Sequence, residues 1–166
     1  MYEIILVALD GSKLAERIID AVEPLAQKFD SLLVLLRATA SPEMILTGTA
    51  VGSPGAIPPT GALIDPTPIV EADLNDARDY LDGLEQRLRE RGLRTKQDTP
   101  EGPAAEQIIA RAREYNAGLI AMTTHGRGGL GRLVFGSVAD EVLRTVTIPV
   151  LLLRVKEAGK GEARRQ

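Results

Sequence analysis

Two short polar segments of this 166-residue chain have the residue types best suited to chemistry, and each follows an apolar run. Residues 10–12 read Asp-Gly-Ser, and residues 124–136 are rich in glycine. Glycine has no Cβ, so backbone N–H groups in such a segment can approach an anion closely. Gly136 and Ser137 then open a predicted helix, whose unpaired N–H groups and partial positive charge suit a phosphate. The pattern predicts a phosphate-binding site, and a merely flexible connection before the helix is the alternative.

Common nucleotide and catalytic motifs are absent from the glycine-rich segment. It lacks the GxxxxGK[ST] of a P-loop, and its GxGxxG starts at Gly126 although the predicted helix begins only at Ser137. No carboxylate pair or lysine in the segment would position a metal and an attacking water for phosphoryl transfer. His125 has no visible nucleophile partner and is interpreted as a loop hydrogen-bonding residue. We therefore assign no catalytic and no metal-ligating residue.

Composition excludes further classes of site and partner. The chain has no cysteine and one histidine, so a disulfide scaffold, a thiol nucleophile and a multi-histidine metal site within one chain are excluded. A net charge of −3 and an aromatic content of 3% argue against nucleic-acid binding. No apolar stretch approaches the roughly 20 residues that span a bilayer, and no targeting segment is visible. We expect a cytoplasmic protein with no membrane or nucleic-acid partner.

Apolar runs and helical periodicities alternate along the chain. Strands are predicted at 4–9, 32–36, 94–98, 119–123 and 150–155, and helices at 14–29, 74–88, 104–112 and 137–146. Pro24 predicts a kink or local break in the first helix. Strands that alternate with helices predict one three-layer α/β domain with a parallel sheet. Ligands bind beyond the carboxyl ends of such strands, where both polar segments would lie.

A proline-rich segment and a polar tail interrupt or end this pattern. Residues 38–70 contain six prolines and four glycines and are interpreted as an insert within a domain spanning 1–155. We expect the insert to be the most mobile internal region and to fold over the ligand as a lid. Residues 156–166 are expected to form a frayed tail.

Three segments resemble the universal stress protein family: IILVALDGS at 4–12, EGPAAEQI at 101–108 and MTTHGRGGLGRLVFGSVADEVLRTVTIPVLLLR at 122–154. The resemblance implies a five-stranded parallel sheet in the order 3-2-1-4-5. It also implies an ATP-binding motif, G-x2-G-x9-G-[ST], of which this chain has Gly126, Gly136 and Ser137. Thr123 stands where the motif has its first glycine. This departure leaves nucleotide binding open, because a side chain there could obstruct the ligand.

The resemblance also implies roles for individual residues. Asp10 would meet the adenine or ribose, Ala8 and Ala38 would flank the base, and Arg37 would lie beside it. The phosphate cradle would contain Gly126, Arg127, Gly136, Ser137 and Val138, and Gly102 would border the pocket. Ser12 and Met122 also have simple structural interpretations, as a helix cap and a core residue. The candidate binding residues are Ala8, Asp10, Gly11, Ser12, Arg37, Ala38, Gly102, Met122, Thr123, His125, Gly126, Arg127, Gly136, Ser137 and Val138.

The sequence favours a regulatory protein of the stress response that binds ATP, or AMP or ADP, with or without Mg²⁺, and has little or no turnover. A nucleotide-independent homodimeric scaffold is the alternative, and a slow ATPase or nucleotidyl transferase is a third. The 150–155 strand would be an edge of the sheet and is apolar, so we expect it to pair antiparallel with its own copy. A regulatory protein partner is expected, but the sequence does not identify it.

Overall fold

Five parallel strands form one sheet in the order β3-β2-β1-β4-β5, in a computed structural model that describes residues 2–48, 65–125 and 136–155. Parallel pairing joins β1 to β2 and β4, β2 to β3, and β4 to β5. The predicted α/β fold and strand order are confirmed. The strands are β1 (Ile4–Ala8), β2 (Leu32–Leu36), β3 (Arg94–Asp98), β4 (Leu119–His125) and β5 (Val150–Val155).

Helices cover both faces of the sheet. They are α1 (Lys13–Glu16), α2 (Ile18–Phe29), α3 (Pro42–Leu46), α4 (Thr67–Glu90), α5 (Ala104–Glu114) and α6 (Ser137–Thr145). Alternate residues of β1 face opposite ways: Ile5 packs with residues of α2 and α4, whereas Leu6 packs with residues of α5 and α6. Both side chains are fully buried. This two-sided burial explains why the strand is an unbroken apolar run rather than an alternating one.

The first helical region divides at a different residue from the one predicted. Helix α2 runs through Pro24, and the interruption lies at Arg17, between α1 and α2. Of the kink or local break predicted at Pro24, the break is therefore wrong, and the kink stays a prediction. Proline removes the hydrogen bond to the carbonyl of Asp20, but Asp20 and Pro24 are both exposed, so water can satisfy that carbonyl.

Regular structure reaches into both ends of the region 38–70. Thr39 forms an isolated parallel bridge with Glu101, α3 follows, and α4 already begins at Thr67. Residues 49–64 lie outside the described residues, so the mobility and lid function expected of the insert remain predictions. The expected tail at 156–166 also lies outside them. Within the described ranges, no helix is both long and apolar enough to cross a membrane.

Candidate functional site

A pocket of about 300 Å³ lies at the carboxyl ends of β1 and β4. The strand order reverses between these two central strands, and parallel α/β sheets bind ligands at such a point. The walls are mainly apolar and come from both strands, the segment that follows β1, and helices α1, α5 and α6. The lining residues are Ala8, Leu9, Asp10, Ala15, Ala104, Ile108, Met122, Thr123, Thr124, Gly136, Ser137, Val138 and Ala139.

The structure brings seven of the predicted binding residues together in this pocket: Ala8, Asp10, Met122, Thr123, Gly136, Ser137 and Val138. Gly11 and Ser12 lie in the adjoining turn. There the Ser12 N–H donates to Asp10 Oδ1 at 2.8 Å, and Ser12 Oγ accepts from the Ala15 N–H at 3.0 Å. The Ser12 hydroxyl therefore caps α1, as the structural interpretation expected, while the turn fixes Asp10 at the pocket wall.

Three further predicted residues lie on the β2 side of the site and do not line the pocket: Arg37, Ala38 and Gly102. The Arg37 guanidinium lies over the turn after β1, where a Cβ added at Gly11 would be 3.4 Å from Arg37 Cζ. Gly11 has φ +83°, a conformation that favours glycine. Gly102 is buried, with φ +122°, and its N–H donates to the Thr39 carbonyl at 2.9 Å. Arg37 and Gly102 therefore contact the segments that follow β1 and β2.

The remaining predicted residues follow Thr124. His125 is the last residue of β4. Gly126 and Arg127, expected to contact phosphate, lie outside the described residues. Their predicted roles therefore stay predictions.

The N-terminus of α6 forms one wall of the pocket. Its N-cap residue is Gly136, which has no side chain that could cap the helix. Residues 136–139 all line the pocket, so the first-turn N–H groups lie at its wall. Unpaired N–H groups at a helix start can bind an anion. A Cβ added at Gly136 would meet no atom within 4 Å among the described residues.

Sequence reasoning placed Thr124 in the glycine-rich segment but did not select it as a candidate binding residue. The residue lines the pocket, is 6% exposed, and its hydroxyl has no hydrogen-bond partner in the described part of the chain. The predicted strand ended at 123, but β4 continues to His125, pairing Thr124 with Arg154 and His125 with Val155. A longer β4 would have placed Thr124 on the same face as Met122.

Asp73 of α4 braces the segment that follows β2. The Arg37 Nη2 donates to Asp73 Oδ1 at 3.1 Å, and the Ala40 N–H donates to Asp73 Oδ2 at 2.7 Å. The Arg37 and Asp73 side chains are 18% and 30% exposed, so this ion pair is only partly screened by water. Asp73 therefore connects α4 to Arg37, which in turn lies over Gly11.

Replacing Asp73 should destabilise the protein. Asp73→Ala removes both acceptors and leaves the Ala40 N–H without its partner. We expect a loss of about 1–2 kcal/mol, which corresponds to a fall of roughly 2–8 °C in the unfolding temperature. Thermal unfolding followed by circular dichroism would measure it. Asp76→Ala is the control, because Asp76 is exposed on the same helix and has no ion pair or hydrogen bond within the described ranges. Equal falls in unfolding temperature for Asp73→Ala and Asp76→Ala would contradict a stabilising role of the Asp73 contacts.

Tyr80 of α4 packs against the core cluster that includes residues of β1 and α2. Burial raises the pKa of Tyr80 well above its usual value, and the carboxylates of Glu16 and Asp10 raise this pKa further. The phenol therefore stays protonated at neutral pH.

No cluster of three or more acidic, histidine or cysteine side chains that could hold a metal ion occurs in the residues that the structure describes.

Comparison with known proteins gives one family. The model of the universal stress protein family matches residues 1–154. Universal stress protein YxiE of Bacillus subtilis (strain 168) is 26% identical over 158 residues, covering 93% of this chain and all of that protein.

Solved structures give a consistent result. A universal stress protein of Burkholderia pseudomallei is 30% identical, covers 92% of this chain and 96% of its own, and superposes with a TM-score of 0.65. A universal stress protein in complex with cAMP is 20% identical, covers 92% of this chain and 97% of its own, and superposes with a TM-score of 0.59. This last similarity concerns the fold alone.

Proposed function

Because the chain belongs to the universal stress protein family, we propose that it binds an adenine nucleotide and acts through that binding as a regulatory protein of the stress response. ATP is the proposed ligand, with AMP and ADP as alternatives. The proposed site is the pocket between the carboxyl ends of β1 and β4. The proposal also includes a cytoplasmic location and a protein partner of unknown identity.

The N-terminus of α6, with Gly136 as its N-cap at the pocket wall, is the observation that carries this proposal. Its first turn supplies N–H donors and a partial positive charge for a phosphate. Next to it, Ala8, Ile108 and Met122 provide apolar surface suited to an adenine ring. Asp10 also lines the pocket and can accept a hydrogen bond from a ribose hydroxyl or the base. Apolar and anion-binding surfaces therefore meet in one pocket, as a nucleotide requires.

The polar lining of the pocket supports binding with little turnover. Among the described lining residues, Asp10 is the one carboxylate, and no lysine is present. Phosphoryl transfer relies on cations and oriented carboxylates to hold metal, phosphate and attacking water. Mg²⁺ binds mainly through phosphate oxygens and water with one or two carboxylates, so Asp10 would be its protein ligand here. The cAMP held by the related solved structure supports the class of ligand.

A homodimeric scaffold that needs no nucleotide is the second candidate. Strand β5 is an edge of the sheet, and four of its residues, 150–153, are half-buried and apolar. Thr123 favours this candidate too, because it lines the pocket in place of the first motif glycine. The two candidates differ in whether assembly and partner binding respond to nucleotide.

Nucleotide retained through purification would test the proposal directly. We expect mass spectrometry of the denatured supernatant to show an adenine nucleotide. We also expect calorimetry on the nucleotide-stripped protein to show saturable ATP binding at one site per chain. Single-turnover assays with excess protein should show hydrolysis far slower than nucleotide exchange. A stripped, folded protein that binds none of ATP, ADP and AMP would favour the scaffold instead.

A further inference from the structure

The buried hydroxyl of Thr124 has no partner in the described residues, although it lines the proposed nucleotide pocket. Thr124 is 6% exposed, so water has little access to it. A buried hydroxyl without a partner is unfavourable, because it has lost its hydrogen bonds to water and gained none in return. Buried polar groups of this kind in a pocket suit a ligand that supplies the missing bond.

The position of Thr124 indicates which part of a ligand it would meet. Side chains of a strand alternate between faces, so Thr124 shares a face of β4 with Met122. Met122 packs in the cluster that includes Ala139 and Val138 of α6. Thr124 lies one step further toward the carboxyl end of the sheet, the end at which α6 begins. Its hydroxyl and the α6 N-terminus therefore belong to the same wall.

We infer that the Thr124 hydroxyl donates a hydrogen bond to a phosphate group of the bound ligand, next to the N-terminus of α6, and so makes the site select phosphorylated nucleosides. This inference rests on the proposed function and adds a specificity residue to it. A helix N-terminus alone binds many anions, including free phosphate. A fixed donor beside it favours a phosphate held at one position by the nucleoside.

Thr124→Val provides a test because valine has nearly the shape of threonine without the hydroxyl. We expect the variant to bind AMP and ATP about tenfold more weakly, since a hydrogen bond to a charged group is lost. Adenosine, which lacks the phosphate, should bind within about twofold of the wild-type affinity. Calorimetry with AMP, ATP and adenosine measures all three. Thr124→Ser keeps the hydroxyl and should retain most of the phosphate selectivity.

The unfolding temperature without ligand distinguishes ligand binding from a purely structural role of the hydroxyl. A structural role predicts a lower unfolding temperature for Thr124→Val than for the wild type. Removing an unpaired buried hydroxyl should leave the unfolding temperature of Thr124→Val unchanged or higher than that of the wild type. Thr145→Val is the matched control. Its hydroxyl donates to the Glu141 carbonyl at 2.8 Å at the far end of α6, so its loss should leave AMP affinity unchanged.

Different results would separate this inference from the proposed function. Wild-type protein that binds AMP, with Thr124→Val unchanged, overturns the inference and leaves the proposed function standing. A lower unfolding temperature for ligand-free Thr124→Val also overturns it, because the hydroxyl would then have a partner within the protein. Equal losses for AMP and adenosine would overturn the assignment to phosphate. Wild-type protein that binds none of the three ligands refutes the proposed function and the inference together.

Discussion

Gly136→Val should weaken ATP binding by about ten- to hundredfold and leave the fold intact. Gly136 is the N-cap of α6 and lines the pocket, so an isopropyl group there would occupy space at the anion-binding wall. Forcing extra methyl groups into a fitted site costs about 1–3 kcal/mol, and each 1.4 kcal/mol is a tenfold change in affinity. The backbone tolerates the change, because φ is −56° and ψ is 158°.

Thermal unfolding shows how far the substitution affects the fold rather than the ligand. No described atom lies within 4 Å of a Cβ added there, so valine should lower the unfolding temperature only by the cost of a poorer N-cap residue, about 1 kcal/mol or roughly 2–4 °C. Gly136→Ala should give a smaller loss of affinity, in proportion to its single methyl group. Gly83→Ala, on α4 and outside the pocket, controls for a general effect of replacing glycine. Calorimetry that gives the same ATP affinity for Gly136→Val and wild type would show that the ligand does not use this wall.

Leu152→Pro should convert the proposed homodimer to a folded monomer. The Ile120 N–H donates to the Pro149 carbonyl at 3.1 Å, which fixes how the amides of β5 alternate. In a parallel ladder, the N–H and C=O of one residue point to the same side, and successive residues alternate. The amides of Leu151 and Leu153 therefore face β4, whereas that of Leu152 faces the open edge. Proline at 152 removes a donor from the proposed dimer contact and spares the sheet.

Light scattering at micromolar concentration would measure the mass of wild type and variant. We expect a dimeric mass for the wild type and a monomeric mass for Leu152→Pro, with similar circular dichroism spectra. Leu153→Pro is the matched control: its proline removes a bond to β4, so it should destabilise the monomer itself. A monomeric wild type would refute dimerisation through β5, and a dimeric Leu152→Pro would place the contact elsewhere.

Most of the fold could be predicted because burial on both sheet faces produces unbroken apolar runs, as in β1 and β2. The end of β4 could not, since Thr124 and His125 are polar and belong to the strand only through their pairing with β5. The division at Arg17 was missed because the apolar periodicity continues across it. Local sequence patterns thus predict the presence of a strand or helix better than they predict where it ends, because its end depends on pairing or packing with neighbouring strands and helices.

In the candidate site, too, local features could be predicted from the sequence, whereas contacts between distant residues could not. Spacing alone indicated the Asp10 turn and the start of α6, because both are local features of the chain. The ion pair of Arg37 with Asp73 joins residues 36 positions apart, and no local pattern predicts it. The pairing places Arg37 over Gly11 and not in the pocket lining. The strand order thus brings the two polar segments to one end of the sheet, whereas the position of Arg37 depends on a contact with a distant part of the chain.

The two edges of the sheet differ in chemistry, and this difference would limit how far copies could assemble edge to edge. At the β3 edge, Arg94 pairs with Asp30 and Lys96 lies 4.6 Å from the centre of the Tyr115 ring. Charged side chains on an edge strand oppose the addition of another strand. If copies join through β5, each pair presents only these charged β3 edges outward. Growth would then stop at two chains, so stoichiometry would stay fixed as concentration rises and no open-ended fibre would form.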